Sequence, residues 1–152
     1  MNESLSLGHR LRQLLAALDG DVQSLYDELG IAFRPRFFPI VRRLLAASPQ
    51  RVGDLAAAIG VSQPAATQTI AEMARAGLVS LAPAADRRTR QVALTPEGER
   101  LAERLGPVWA AVEAAAAALD RELDRPLSAA IDQALAALGR EPFRDRIRKA
   151  LK

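Results

Sequence analysis

The chain has 152 residues, which predicts one domain, or one small module together with its dimerisation helices. Nearly half of the residues are hydrophobic but only 4% are aromatic, so we expect a largely helical core of Leu, Ala and Val. The sequence has no cysteine, one histidine and no Gly-rich phosphate loop, which excludes disulfides, Cys-based zinc sites and Cys/His catalysis, and it predicts neither an enzyme nor a cofactor.

The formal net charge of +3 is mild, but the arginines are unevenly distributed. Five of them and no carboxylate lie between Leu29 and Gly53, and Arg87, Arg88 and Arg90 form a second cluster. A GC-rich genome would explain the excess of arginine, although the guanidinium fork also fits phosphate well. No apolar run approaches the roughly 20 residues of a membrane span, and no signal peptide is recognisable, so we expect a soluble, cytoplasmic protein.

The N-terminal 30 residues are predicted to be helical, because leucines recur at steps of three and four from Leu7 to Leu29. The pattern fits one helix with a weak point at Gly20, or two helices of which Asp21 caps the second. The next helix is expected to begin near Arg36 and to end before Pro49. Its inward residues are predicted to be Phe37, Val41 or Ile40, Leu44 and Leu45.

Two short helices follow, joined by a tight turn. The first spans Val52 to Ile59, with Leu55, Ala58 and Ile59 inward, and ends at Gly60. Ser62 is predicted to cap the second helix, which Gly77 ends in a left-handed conformation. Its predicted buried stripe consists of Val61, Ala66, Ile70 and Met73.

A basic hairpin comes directly after these helices. Strands are predicted over Leu78 to Leu81 and Arg90 to Thr95, and the loop between them carries the arginine cluster. A long helix should start at Pro96 and reach about Leu123, with a kink at Gly106-Pro107. Its spaced apolar residues predict a seam for a partner helix: Leu101, Leu105, Val108, Val112, Ala115 and Leu119.

Two more helices complete the chain. The first carries Leu127 to Leu138 and is predicted to end at Gly139, and the last contains Phe143, Ile147 and Leu151. The residues considered for a ligand pocket are Trp109, Tyr26, Phe37, Phe38 and His9. Bulky residues at helical spacing more often belong to the core than to a binding site, so we expect the aromatic ones to pack in the core. His9 is expected at the flank of an apolar helix face.

The region from Val52 to Leu101 resembles the MarR-type winged helix–turn–helix regulators. The resemblance is carried by Leu55-Ala56, Val61-Ser62-Gln63-Pro64, Gly77-Leu78-Val79, Asp86-Arg87-Arg88 and Leu94-Thr95-Pro96-Glu97-Gly98. It implies an obligate homodimer with two recognition helices in successive major grooves and wings on the flanking DNA. Often such proteins also hold a small-molecule site between the dimer helices and the DNA-binding lobe.

Two features depart from the family pattern. Arg51 stands where such proteins often have a Thr or Ser helix cap, and Arg34-Pro35-Arg36-Phe37-Phe38-Pro39 belongs at most to a subgroup. The fold class predicted is mainly α with a small two- or three-stranded β-wing. A winged helix–turn–helix lobe is expected at 34–100, and a helical dimerisation region at 1–30 and 101–152.

The helix face opposite the buried stripe is predicted to contact DNA. Glutamine can make paired hydrogen bonds to adenine, and Ala and Thr methyl groups suit the thymine methyl. In the hairpin, Arg88 is predicted to reach a narrow minor groove or its phosphates, while Asp86 pairs with an arginine. The predicted DNA-binding residues are Arg51, Ser62, Gln63, Ala65, Thr67, Gln68, Arg87, Arg88 and Arg90.

The sequence therefore predicts a homodimeric transcriptional regulator, expected to be a repressor, that binds double-stranded DNA at a pseudo-palindromic operator. Its half-sites should lie one helical turn apart, about 34–36 Å. A small-molecule effector is a further expectation, drawn from the resemblance. The alternative is a winged-helix module for protein association without specific DNA binding, since the recognition face is nearly uncharged.

Overall fold

The structure is a computed structural model that describes residues 6–84 and 90–151. It divides into two compact units, Met1–Leu105 and Gly106–Lys152, with the boundary inside the longest helix. In the first unit the helices are α1 (Leu7–Glu28), α2 (Phe38–Ala46), α3 (Val52–Ile59), α4 (Gln63–Arg75) and the start of α5 (Pro96–Glu122). The strands are β1 (Gln50–Arg51), β2 (Val79–Pro83) and β3 (Arg90–Leu94), and the second unit adds α6 (Leu127–Arg140) and α7 (Phe143–Ala150).

The helix α1 is continuous, which decides between the two alternatives left open by the sequence. Ser6 caps it by accepting a hydrogen bond from the His9 amide, and Gly30 follows its end with a φ of +64°. Tyr26 is its one buried residue, and the Tyr26 ring meets the Phe33 ring edge-on at 5.4 Å. The leucine stripe predicted along α1 is otherwise largely exposed, from Leu7 to Leu18.

A 3₁₀ turn over Pro35–Phe37 precedes α2, so the helix proper begins two residues later than predicted. Phe37, Ile40, Val41 and Leu44 are buried, as the spacing indicated, whereas Leu45 is about half exposed. The prediction for Leu45 was wrong because its side chain leaves the helix about 100° further round than that of Leu44, beyond the edge of the buried stripe.

The helix–turn–helix is present, but two inward assignments were wrong. In α3 the buried residues are Leu55 and Ala56, while Ala58 is exposed. Val61 is 43% exposed, because Gly60 turns the chain in the left-handed region, with a φ of +72°, and Val61 falls in the turn before α4. The other three residues of the predicted stripe, Ala66, Ile70 and Met73, are buried.

The three strands form an antiparallel sheet in the order β1-β3-β2. Gln50 pairs with Val92 across β1 and β3, and Leu81 pairs with the same Val92 from β2. The side-chain amide of Gln50 also donates, through Nε2, to the backbone carbonyl oxygens of Arg43 and Ala47, at 2.8 and 2.6 Å. These bonds fasten the two-residue strand β1, which the sequence did not predict, to the end of α2.

Thr95 joins the end of α4 to the start of α5. Its hydroxyl donates to the Gly77 carbonyl at 2.5 Å and accepts from the Gly98 amide at 3.0 Å. Gly98 lies so close to the sheet that a Cβ atom there would be 2.1 Å from the Leu78 carbonyl oxygen. The sequence Thr95-Pro96-Glu97-Gly98 therefore starts a helix, as predicted, and also packs that helix onto the strand entry.

The predicted seam of α5 is not uniform. Leu101 and Leu105 are buried and belong to the core of the first unit, so their assignment to a partner helix was wrong. Val108, Val112 and Leu119 are partly exposed, and Ala115 is exposed. The helix runs on through Pro107 to Glu122.

The second unit consists of the rest of α5 and of the helices α6 and α7, whose large apolar side chains are exposed. Asp120 accepts hydrogen bonds from the Leu127 amide at 2.8 Å and from the Ser128 amide and hydroxyl, which caps α6 from outside its own sequence. The helix continues past Gly139 to Arg140, so Gly139 is not its end. Neither α6 nor α7 contains a buried residue, and Leu135 is 62% exposed.

Candidate nucleic-acid interface

A cleft of about 570 Å³ opens between the start of α3, the outer face of α4 and the sheet. Four of the predicted DNA-binding residues come together there, although they are up to 39 positions apart in sequence: Arg51, Gln63, Thr67 and Arg90. The cleft is also lined by Val52, Gly53, Asp54, Ile70, Ala71 and Leu81. Residues from two helices and three strands thus form one surface.

Three of the predicted DNA-binding residues lie at the start of α4. Ser62 is the N-cap, and its hydroxyl accepts from the Ala65 amide at 3.3 Å, as predicted. Gln63 and Thr67 are four residues apart, so they share one helix face. The Thr67 hydroxyl donates to the Gln63 carbonyl at 2.9 Å, so the hydroxyl is bonded within the helix and the methyl group is not.

The remaining predicted residues of α4 lie beside the cleft. Ala65 and Gln68 are exposed on the helix but do not line the cleft. Since Gln68 follows Thr67 by one residue, its side chain leaves the helix about 100° further round. The exposed residues of α4 therefore fall into two groups, one inside the cleft and one outside it.

The two described arginines of the site sit on adjoining strands. Arg51 pairs with Gln91, the residue after Arg90, and both arginines are exposed. Neither makes an ion pair with any residue that the structure describes. Arg51 is the N-cap residue of α3 without a side-chain capping bond, so its guanidinium is not used for the cap. Arg87 and Arg88, with Asp86, lie outside the described residues.

Sequence reasoning missed two lining residues, Asp54 and Leu81. Asp54 is the acidic residue in the first turn of α3, where a carboxylate favours the helix dipole. That helical role was readable from the sequence, but its place in the cleft depends on how α3 packs on α4. Leu81 is 36% exposed and gives the cleft an apolar patch from the strand β2.

A second cleft, of about 790 Å³, lies within the first unit between the end of α1, the 3₁₀ turn and the end of α4. Its lining is rich in charge: Gln23, Asp27, Ala32, Phe33, Arg34, Arg36, Phe37, Glu72, Arg75 and Ala76. The Arg36 guanidinium donates to the Glu72 carboxylate. That hydrogen bond, together with the charges of Arg36, Arg34 and Arg75, holds the pKa of Glu72 below its ordinary value against the opposing effect of partial burial.

The aromatic residues that we considered for a ligand site are mostly core. Tyr26, Phe37 and Trp109 are buried, and Phe37 also lines the second cleft. His9 is exposed in the first turn of α1. Within residues 6–84 and 90–151, no three His, Asp or Glu side chains cluster as metal ligands would. No helix in these ranges has the length and apolarity needed to cross a bilayer.

The comparisons with known proteins agree on the fold. The family model of the MarR family matches residues 40–89, and no curated protein matches the chain. The Mycobacterium tuberculosis transcriptional regulator MosR, solved in complex with DNA, is similar with a TM-score of 0.71 and 21% identity. That match covers 89% of this chain and 94% of MosR.

Two further solved structures are similar over most of their length. The PcaV transcriptional regulator from Streptomyces coelicolor, in complex with its natural ligand, has a TM-score of 0.69 and 17% identity, covering 93% of this chain and 96% of PcaV. Bordetella bronchiseptica BpsR, whose DNA binding is regulated by 6-hydroxynicotinic acid, has a TM-score of 0.61 and 20% identity. The match covers 76% of this chain and 82% of BpsR.

Proposed function

Because residues 40–89 of the chain belong to the MarR family, we propose that the protein is a homodimeric transcriptional repressor that binds a pseudo-palindromic DNA operator. In this proposal α4 enters the major groove and the hairpin of β2 and β3 meets the flanking duplex. The observation that carries the proposal is the first cleft, which gathers Arg51, Gln63, Thr67 and Arg90 on one exposed surface. An amide and a methyl group that suit base edges, and two guanidinium groups that suit phosphate, therefore lie on one surface, which supports duplex recognition.

We assign base reading to Gln63, Thr67 and Gln68. Glutamine amides can pair with adenine N6 and N7, and the free methyl of Thr67 suits a thymine methyl. Ala65 adds a second methyl on the exposed face. Phosphate contacts are assigned to Arg51, Arg90 and the Ser62 hydroxyl, and to Arg87 and Arg88 in the loop between β2 and β3.

The homodimer is supported by the apolar faces that the single chain leaves uncovered. Leu7, Leu11, Leu15 and Leu18 are exposed along α1, and the helices α6 and α7 expose their own large apolar side chains. Faces of this size are costly to leave in water, and a two-fold partner would cover them with the same surface. The proposed dimerisation regions are 1–30 and 106–152, since Leu101 and Leu105 belong to the core of the first unit.

The second cleft is the candidate site for a small-molecule effector. Arg34, Arg36 and Arg75 line it beside the Phe37 ring, so it suits a small aromatic or heterocyclic carboxylate. BpsR, which responds to 6-hydroxynicotinic acid, gives a probe of that class. Calorimetric titration with 6-hydroxynicotinate should show binding that Arg34→Ala weakens, and no heat of binding at millimolar probe would contradict this assignment.

DNA recognition is tested on the duplex that the wild-type protein selects from a random-sequence pool. Gln68→Ala should relax preference at one base pair by about 1–3 kcal/mol, while Arg88→Ala should weaken binding to all sequences. Fluorescence anisotropy over a series of salt concentrations measures both effects. Unchanged affinity in both variants would contradict the assigned site.

The alternative, a module for protein association, makes a different prediction for the wild-type chain. Such a module would bind random duplex and heparin weakly even at low salt, whereas a DNA-binding protein binds both through its cations. An absence of duplex binding at about 50 mM salt would therefore contradict the proposed function as a whole.

A further inference from the structure

We propose that Arg36 is a positioning residue for DNA recognition. Through its bond to Glu72 it holds the C-terminal half of α4, and so fixes which side chains of that helix face the duplex. The inference rests on the proposed function, because it concerns the same recognition helix. It adds a residue that touches no DNA and that no feature of the recognition face identifies.

The backbone of Arg36 is constrained by the residues on either side of it. It lies in the 3₁₀ turn that begins with Pro35, and the adjacent residue Phe37 is buried. The Arg36 guanidinium carbon is 5.9 Å from the centroid of the Phe37 ring, which allows a cation–π contact. The 3₁₀ turn therefore holds the backbone of Arg36, and the Phe37 ring contacts its guanidinium. Both contacts restrict where the guanidinium can lie.

Glu72, which accepts the bond from Arg36, lies where a rotation of α4 would break that bond. Glu72 is four residues beyond Gln68, one turn along the helix, and its side chain is 21% exposed. Any rotation or shift of α4 that moved Gln68 relative to DNA would also move the Glu72 carboxylate away from Arg36. The lowered pKa of Glu72 agrees with a carboxylate that is held ionised by its neighbours.

Two other cations near Glu72 provide a contrast. Arg34 and Arg75 influence its charge, but neither forms an ion pair with any residue in the ranges that the structure describes. Arg36 alone among these three bonds the recognition helix from another element. This gives a role to the segment Arg34-Pro35-Arg36-Phe37-Phe38-Pro39, which departs from the family pattern and takes no part in the predicted DNA face.

The test is a double-mutant cycle on operator affinity, using Arg36→Ala, Glu72→Ala and the two together. An exposed ion pair is a weak interaction, so each single variant should lose about three- to fivefold in affinity for the selected operator. The double variant should lose no more than either single variant, because both remove the same bond. Arg36→Lys should recover part of the loss. Arg100→Ala, which breaks another exposed ion pair of the lobe (Arg100 with Glu97, at 2.7 Å), should leave operator affinity unchanged.

The salt dependence separates positioning from direct contact. If Arg36 acts through Glu72, the slope of log affinity against log salt stays at the wild-type value in Arg36→Ala, and affinity for random duplex is unchanged. A slope reduced by about one would make Arg36 a phosphate contact and overturn the inference. Additive losses in the cycle, or no loss in the single variants, would also overturn it.

Failure of the inference is distinguishable from failure of the proposed function. A wild-type protein that selects no duplex over random sequence would overturn both together. A wild-type protein that binds its operator, with no coupling between residues 36 and 72, would overturn the inference alone. Circular dichroism melting of each variant checks that the fold is retained before affinities are compared.

Discussion

The winged lobe and the C-terminal helices use apolar residues in opposite ways. In the lobe, Ile40, Leu55, Met73 and Leu105 have no exposed surface, and helices and sheet enclose them. In α6 and α7 no residue is buried, and the large apolar side chains face outward. The difference teaches that the lobe carries its own core, whereas the apolar side chains of α6 and α7 contribute little burial within the single chain.

The most severe test of this comparison is to shorten one leucine to alanine in each region. Leu55→Ala should lower the free energy of unfolding by about 2–5 kcal/mol, because it removes packing and leaves a cavity. Leu135→Ala is the matched change on an exposed leucine. Urea unfolding at several protein concentrations should show a loss independent of concentration for Leu55→Ala only, and equal losses independent of concentration in both variants would contradict the comparison.

The proposed dimer surface on α6 is tested by introducing a carboxylate into it. Leu135→Asp should raise the dissociation constant of the homodimer by about a hundredfold or more, because a carboxylate is costly to bury without a partner. Sedimentation velocity measures the shift. Leu45→Asp is the control, since Leu45 is an exposed leucine of the lobe, and dissociation in both variants or in neither would weigh against α6 as the interface.

Close packing within the lobe predicts a smaller effect at a glycine. Gly98→Ala should destabilise the protein by about 1–3 kcal/mol, because its Cβ would collide with the Leu78 carbonyl oxygen. Gly20→Ala is the control in α1, where no atom lies within 4 Å of the added Cβ. That change should stabilise by about 0.5–1 kcal/mol through helix propensity, and thermal melting distinguishes the two signs.

The weakest expected effect concerns the cap that Asp120 supplies to α6. The hydrogen bond from Ser128, with further bonds from the Ser128 and Leu127 amides, holds the pKa of Asp120 below its ordinary value of 3.8. Since a lowered folded-state pKa stabilises at pH values above the unfolded pKa, this contribution is present at neutral pH and is lost as the pH falls below about 3.8.

Asp120→Asn should therefore melt earlier than the wild type at pH 7, and the gap should close on acidification through that window. Melting curves from pH 7 down to pH 2.5 measure it. A gap that stays constant over the whole range would show that the charge of Asp120 does not contribute.

The sequence predicted the elements whose ends carry a local chemical signal. Ser62 caps α4 and Gly60 and Gly77 adopt left-handed backbone at the ends of α3 and α4, because each residue acts on its own helix terminus. The strand β1 had no such signal. It exists because Gln50 reaches back to α2 and pairs across to β3, and those contacts join residues distant in sequence.

The candidate site shows the same division. The exposed face of α4 followed from helical periodicity, since Ile70 and Met73 identify its buried side. The meeting of Arg51 and Arg90, and the bond between Arg36 and Glu72, depend on the packing of separate elements. Periodicity within one helix cannot supply such pairings, so Asp54, Leu81 and Arg36 were not recognised as parts of the two clefts.

Thr95 has a mechanical consequence for any signal that enters the lobe. The Thr95 hydroxyl links Gly77, just after the end of α4, with Gly98 in the first turn of α5, and the Thr95 amide also donates to the Leu78 carbonyl at 3.0 Å. The end of α4, the entry of β2 and the first turn of α5 are consequently joined through this one residue. A displacement of the first turn of α5 would therefore move the end of α4 and the entry of β2 with it, since one threonine bonds to all three.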